Sequence, residues 1–142
     1  MALLKKILAP TDFSDLSAKG VKYASQLAKD VGAALLVVNV VLLDESGTID
    51  KREIEEHKKQ LDDFLRTTLG RVSSGLKIRK IIETGEPSAA IVDRAASEHV
   101  DLIVTSTHGR GGISRFLIGS VTDKLVRRSA CPVLVVPVEG RS

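Results

Sequence analysis

The sequence predicts an α/β fold, a single parallel sheet of five strands covered by helices on both faces. Three observations carry that expectation. Short apolar runs alternate with stretches of helical periodicity in the order β-α-β-α-β-α-β-α-β, the pattern of a sheet wound through crossover helices. Residues 33–43 are apolar almost throughout, as expected of a strand buried on both faces. Two glycine turns, Thr107-His108-Gly109 and Gly119-Ser120, follow an apolar run and open a helical pattern, respectively.

Lys5 to Ala9 reads as the first strand, stopped by Pro10. Leu16, Gly20, Tyr23, Ala24, Leu27, Ala28 and Val31 then recur with helical period, with Ser14 as N-cap and Gly32 as terminator. Ala33 to Leu43 is the second strand. Ile54, Leu61, Phe64, Leu65, Leu69 and Val72 mark a second helix whose other face, including Lys51 to Lys59, is charged and solvated; Gly75 is expected to end it. Leu76, Ile78, Ile81 and Ile82 form a third strand, with the alternation slipping at Lys80-Ile81. Pro87 starts a third helix that turns Ile91, Val92, Ala95 and Ala96 inward and has His99 near its end. Asp101 to Thr105 is the fourth strand, Gly119 to Ser129 the fourth helix, and Val133 to Val136 the fifth strand.

The 142 residues fit one domain, 1–142. Hydrophobic residues are 43% and charged residues 27%, ordinary globular values that argue against disorder. Three Phe, one Tyr and no Trp, with a scattered net charge of +3, argue against nucleic-acid binding, which draws on stacking platforms and basic stripes. The apolar runs fall short of the ~20 residues that cross a bilayer, and the order of charge and apolar residues in Met1 to Lys6 is the reverse of a secretory signal. A lone cysteine, Cys131, expected to be buried and inert, suits a reducing compartment. The expected location is cytoplasmic, with no membrane partner.

In open α/β sheets, ligands lie beyond the carboxyl ends of the strands, where strand order reverses. If the first and fourth strands are neighbours, Asp12 and Gly109 face one crevice. A glycine turn lets backbone N–H groups approach a ligand, and a helix start offers unpaired N–H groups. Gly109, Gly119, Ser120, Val121 and Thr122 would then cradle a polyphosphate. Structural readings stand beside these: Gly109 as a plain turn, Ser120-x-x-Asp123 as a capping box, Asp12 as a cap near Ser14, and Val40 as ordinary core. Arg110 and Arg115 could neutralise phosphate charge or simply be solvated. His57, His99 and His108 lack metal-ligand spacing, and the motifs of P-loop NTPases and of serine or cysteine nucleophiles are missing.

Four motifs in register resemble the universal stress protein family: Lys6-Ile7-Leu8-Ala9-Pro10-Thr11-Asp12-Phe13-Ser14; Gly85-Glu86-Pro87; Thr107-His108-Gly109-Arg110-Gly111-Gly112 running to Gly119-Ser120-Val121-Thr122; and Cys131-Pro132-Val133-Leu134-Val135-Val136. The resemblance implies an open, Rossmann-like sheet of order 3-2-1-4-5 of the adenine nucleotide alpha-hydrolase-like type. It implies ATP, with Mg, as ligand. Ala9, Pro10 and Thr11 would wall the pocket, Val40 would line the adenine, and Asp12 would contact the nucleotide or its Mg. Ser106, Thr107, Gly109, Arg110, Gly119, Ser120, Val121 and Thr122 would hold the phosphates. The family's nucleotide-binding branch carries Gly-x-x-Gly-x9-Gly-Ser/Thr; Gly109 and Gly119 match, whereas Ser106 stands at the first glycine. A serine Cβ there either crowds a phosphate or leaves the amide usable and adds a hydroxyl.

The resemblance further implies a homodimer through the C-terminal strand, which would cover an apolar sheet edge. The expected function is an ATP-binding stress or signalling module without robust catalysis. The alternatives are a dimeric interaction protein that binds no nucleotide, and a slow ATPase using Asp12 and Mg.

Overall fold

The computed structural model describes residues 3–107 and 119–137. Its elements are β1 (Lys6–Pro10), α1 (Asp15–Val31), β2 (Ala34–Val41), α2 (Lys51–Leu69), a short 3-10 helix (Gly70–Ser73), β3 (Ile78–Thr84), α3 (Pro87–Ser97), β4 (Leu102–Ser106), α4 (Ser120–Arg128) and β5 (Val133–Val136). The five strands form one parallel sheet of order β3-β2-β1-β4-β5. This is the Rossmann-like order that the family resemblance implies.

Two cores flank the sheet because strand side chains alternate in direction. Ile7, Ala9, Leu35, Val37 and Val104 pack with Val21, Ala24, Ala28, Leu61 and Leu65 under α1 and α2. Leu8, Leu36, Val38 and Ile103 pack with Ile91, Ala95 and Leu125 under α3 and α4.

Local chemistry sets most of the element ends. Ser14 caps α1, its side chain accepting from the Ser17 N–H, and Gly32 closes it in the left-handed region at φ 74°. Pro87 begins α3 and the Glu86 carboxylate accepts from the Ala89 N–H.

Several expectations need correction. The buried stripe of α1 is Gly20, Val21, Ala24, Ser25 and Ala28, while Tyr23 and Val31 are exposed. Gly70, not Gly75, terminates α2, at φ 52°, a backbone that glycine adopts without steric strain; Val72 therefore lies in the following turn and is exposed. Cys131 is half-buried, with its Sγ 3.4 Å from the Ser129 hydroxyl.

Pro10 does not stop β1 but ends it, in register with Val38 of β2. The Thr11 N–H donates to the Val38 carbonyl at 2.9 Å. Successive amides along a strand point to opposite sides, so the donor that proline lacks falls on the β4 side. Pairing of β1 with β4 runs through Ile7–Leu102 and Leu8–Ile103, and beyond it the two strands part.

Candidate functional site

The parting of β1 and β4 opens a cleft of about 250 Å³ at the carboxyl end of the sheet. Pro10, Thr11, Asp12 and Ser17 form one wall, and Thr105, Ser106, Val121 and Thr122 another. Val38, Asn39, Val40 and Leu42 from β2 and its exit, with Pro87 and Ile91 of α3, complete it. One end is thus apolar, and the other carries a row of hydroxyls.

The turn after β1 is tied internally. Thr11 Oγ1 lies 2.7 Å from Ser17 Oγ and accepts from the Phe13 N–H at 2.9 Å. The Ser14 N–H donates to Asp12 Oδ1 at 3.0 Å. Between them Phe13 holds φ 70°, a strained conformation for a bulky residue that its surroundings must enforce. Asn39 is almost fully buried, and its Nδ2 donates to the Thr11 carbonyl at 2.9 Å.

On the opposite wall Thr122 Oγ1 donates to the Ser106 carbonyl at 3.0 Å and stands 3.3 Å from Thr105 Oγ1. A hydroxyl has one hydrogen, so Thr105 is the donor to Thr122. This chain fastens the first turn of α4 to the end of β4. Glu86 and Lys124 approach to 3.6 Å. The Ala89 N–H first, and then the Ser88 hydroxyl, hold the Glu86 carboxyl down at about 2.

Of the residues expected from the sequence, Pro10, Thr11, Asp12, Val40, Ser106, Val121 and Thr122 come together here. Ala9 does not: its side chain is fully buried under α1 and α2, on the other face of the sheet. The Thr107 N–H turns toward β5, donating to the Val136 carbonyl at 3.1 Å. Neither Thr107, Gly119 nor Ser120 lines the cleft. The capping box is overturned, because Gly119 is the N-cap of α4 without a side-chain bond, and Asp123 pairs with Arg127 at 3.1 Å. Gly109 and Arg110 lie outside the described residues. Ser17, Val38, Asn39, Leu42, Pro87, Ile91 and Thr105 were missed; the one sequence signal was Asn39, a polar interruption in an apolar strand.

Among the described residues no group of three or more His, Cys, Asp or Glu could hold a metal ion, and no helix is long and apolar enough to cross a membrane.

A model of the Universal stress protein family matches residues 4–137. The chain belongs to the universal stress protein family. The family's Universal stress protein MJ0531 of Methanocaldococcus jannaschii is 32% identical, over 94% of this chain and 82% of that protein. Among solved structures, the universal stress protein UspA from Lactobacillus plantarum superposes with a TM-score of 0.77 at 25% identity, covering 94% of this chain and 97% of its own. A universal stress protein in complex with cAMP superposes with a TM-score of 0.74 at 27% identity, over 94% and 97% of the two chains.

Proposed function

We propose that this universal stress protein binds ATP, with Mg, and acts as a homodimeric stress-response or signalling module without robust catalysis. One observation carries the proposal: the cleft at the β1–β4 parting has an apolar end and a hydroxyl end. Val38, Val40, Leu42, Pro87 and Ile91 suit a planar base. Thr105, Ser106 and Thr122, beside an α4 whose N-cap lacks a side-chain acceptor, suit phosphate oxygens, since the first N–H groups of a helix have no partner within it. That a relative of the same fold is described in complex with cAMP supports an adenine nucleotide here.

The cleft is somewhat smaller than the ~300–1,000 Å³ of enclosed ligand pockets. A nucleoside triphosphate would therefore extend past the described walls, on the side where Gly109 and Arg110 are proposed to meet it. Among the described residues Asp12 is the one carboxylate lining the cleft. Mg²⁺ binds through one or two carboxylates plus substrate phosphates, so the ion would arrive with the nucleotide and touch the protein at Asp12.

Titration calorimetry with ATP and Mg²⁺ tests the proposal, together with mass spectrometry of small molecules released from freshly purified, denatured protein. Saturable binding at micromolar ATP is expected, with loss in Gly119→Val. A wild-type chain that binds no adenine nucleotide defeats the proposal.

Ser106 favours a second function, that of a dimeric interaction protein independent of nucleotide, because a serine lines the cleft where the nucleotide-binding pattern has glycine. Partner capture that ATP does not alter would support it. The cytoplasmic location is proposed on the lone thiol of Cys131.

A further inference from the structure

His57 belongs to the charged helix α2 and does not line the cleft, yet it is half-buried and makes two contacts toward it. Its Nδ1 lies 2.7 Å from Asn39 Oδ1. Its ring packs on Phe13 at a centroid distance of 5.8 Å and a tilt of 55°, and Phe13 leans in turn on Phe64 at 5.9 Å.

The partners dictate the chemistry of the pair. The Thr11 carbonyl can only accept, so the Asn39 atom facing it at 2.9 Å is the amide nitrogen. The Asn39 oxygen is then the atom facing His57, and an oxygen needs a donor. His57 must therefore carry a hydrogen on Nδ1, which assigns both the amide orientation and the imidazole tautomer. The path runs His57 N–H to Asn39 C=O, and Asn39 N–H to Thr11 C=O, ending in the backbone directly before Asp12. The second contact presses on Phe13, the residue directly after Asp12, which holds the left-handed backbone. Both ends of the turn that presents Asp12 to the cleft are thus held from one side chain.

We propose that His57 is a positioning residue for the cleft, setting the Thr11-Asp12-Phe13 turn through Asn39 and the Phe13 ring. Its effect on ligand affinity rests on the nucleotide role proposed above. His57→Phe keeps a ring against Phe13 and removes the N–H. It leaves the Asn39 oxygen without its donor and should weaken ATP binding roughly tenfold. Asn39→Ala should weaken it by a similar factor, and the double variant no further, as for groups acting as one unit. Unchanged affinity in His57→Phe, or losses that multiply, overturn the proposal.

A ligand-free measurement separates this from the nucleotide role. Long-range ¹H–¹⁵N correlation on the unmodified chain should show neutral His57 protonated at Nδ1, and His57→Phe should shift the amide resonances of Asp12, Phe13 and Ser14. An Nε2–H tautomer, or unmoved amides, overturns the proposal. If the unmodified chain binds no ATP, the nucleotide role falls, and the tautomer and amide shifts alone decide whether His57 sets the turn.

Discussion

Gly20 of α1 lies directly against the backbone of Ser106 at the end of β4: a Cβ on Gly20 would stand 3.2 Å from the Ser106 amide nitrogen and 3.3 Å from the Thr105 carbonyl carbon. Gly20→Ala brings two opposed effects. Alanine favours the helix by about 1 kcal/mol, whereas overpacking costs about 1–3 kcal/mol. The obstacle is peptide backbone in an interior strand, which yields poorly, so overpacking should win by about 1 kcal/mol. A lower urea midpoint is expected; a raised midpoint would show that α1 can move away freely.

Thr122 ties the start of α4 to β4 through the Ser106 carbonyl and Thr105. Thr122→Val keeps the shape but removes the hydroxyl, leaving buried groups without their partner, at a cost of about 1–3 kcal/mol. The same change frees the α4 N-terminus, so ATP affinity should fall together with stability. Chemical denaturation and calorimetry on one preparation read both, and a neutral variant would remove Thr122 from the tether.

Acid should destabilise the fold in a defined window. The Glu98 carboxyl is held at about 2, against an ordinary 4.5, chiefly by the Arg79 guanidinium, with Arg94 and Lys6 adding to it. Glu86 is held equally low by the α3 cap, and Asp101 is lowered by the Lys5 and Lys6 N–H groups. A depressed carboxyl means that the unfolded chain binds the proton first. The stabilisation is full above about 4.5 and is lost as pH falls toward about 2. Unfolding midpoints should therefore be level above that window and decline within it, with a shallower decline for Glu98→Gln. An equally steep decline in that variant would count against Glu98.

Val133 to Val136 form an edge strand, and all four residues are half-buried in the single chain. An apolar edge of this kind invites pairing with another chain, and a second copy is the proposed partner. The unmodified chain should sediment as a dimer at tens of micromolar, and Val135→Glu should shift it toward monomer. A monomer at that concentration would rule out the β5 interface.

Element identity was legible wherever a local chemical cue coincided with an apolar period. Ser14, Gly32 and Pro87 stand at the ends the sequence predicts, and β5 has the bounds expected. Legibility failed where two local signals competed. Gly70 and Gly75 were both available to end α2, and both adopt positive φ; the helix stops at the first. Ser120 is the cap that the expected box requires, yet Gly119 takes that position, and Asp123, the other half of the box, is drawn to Arg127 instead.

The sequence alone determined the alternation of strands and helices, the apolar faces and most of their ends, because period, capping and glycine conformation act over a few residues. Only the tertiary structure decided what the cleft contains. Strand side chains alternate between faces, which sends Ala9 into the core and Pro10 to the crevice. The crossovers bring α3 beside β2, adding Pro87 and Ile91. Packing of α2 against α1 and β2 delivers His57 to Asn39, eighteen residues away along the chain. A hydrogen bond between such distant groups depends on how whole elements pack, and nothing local to either residue encodes it.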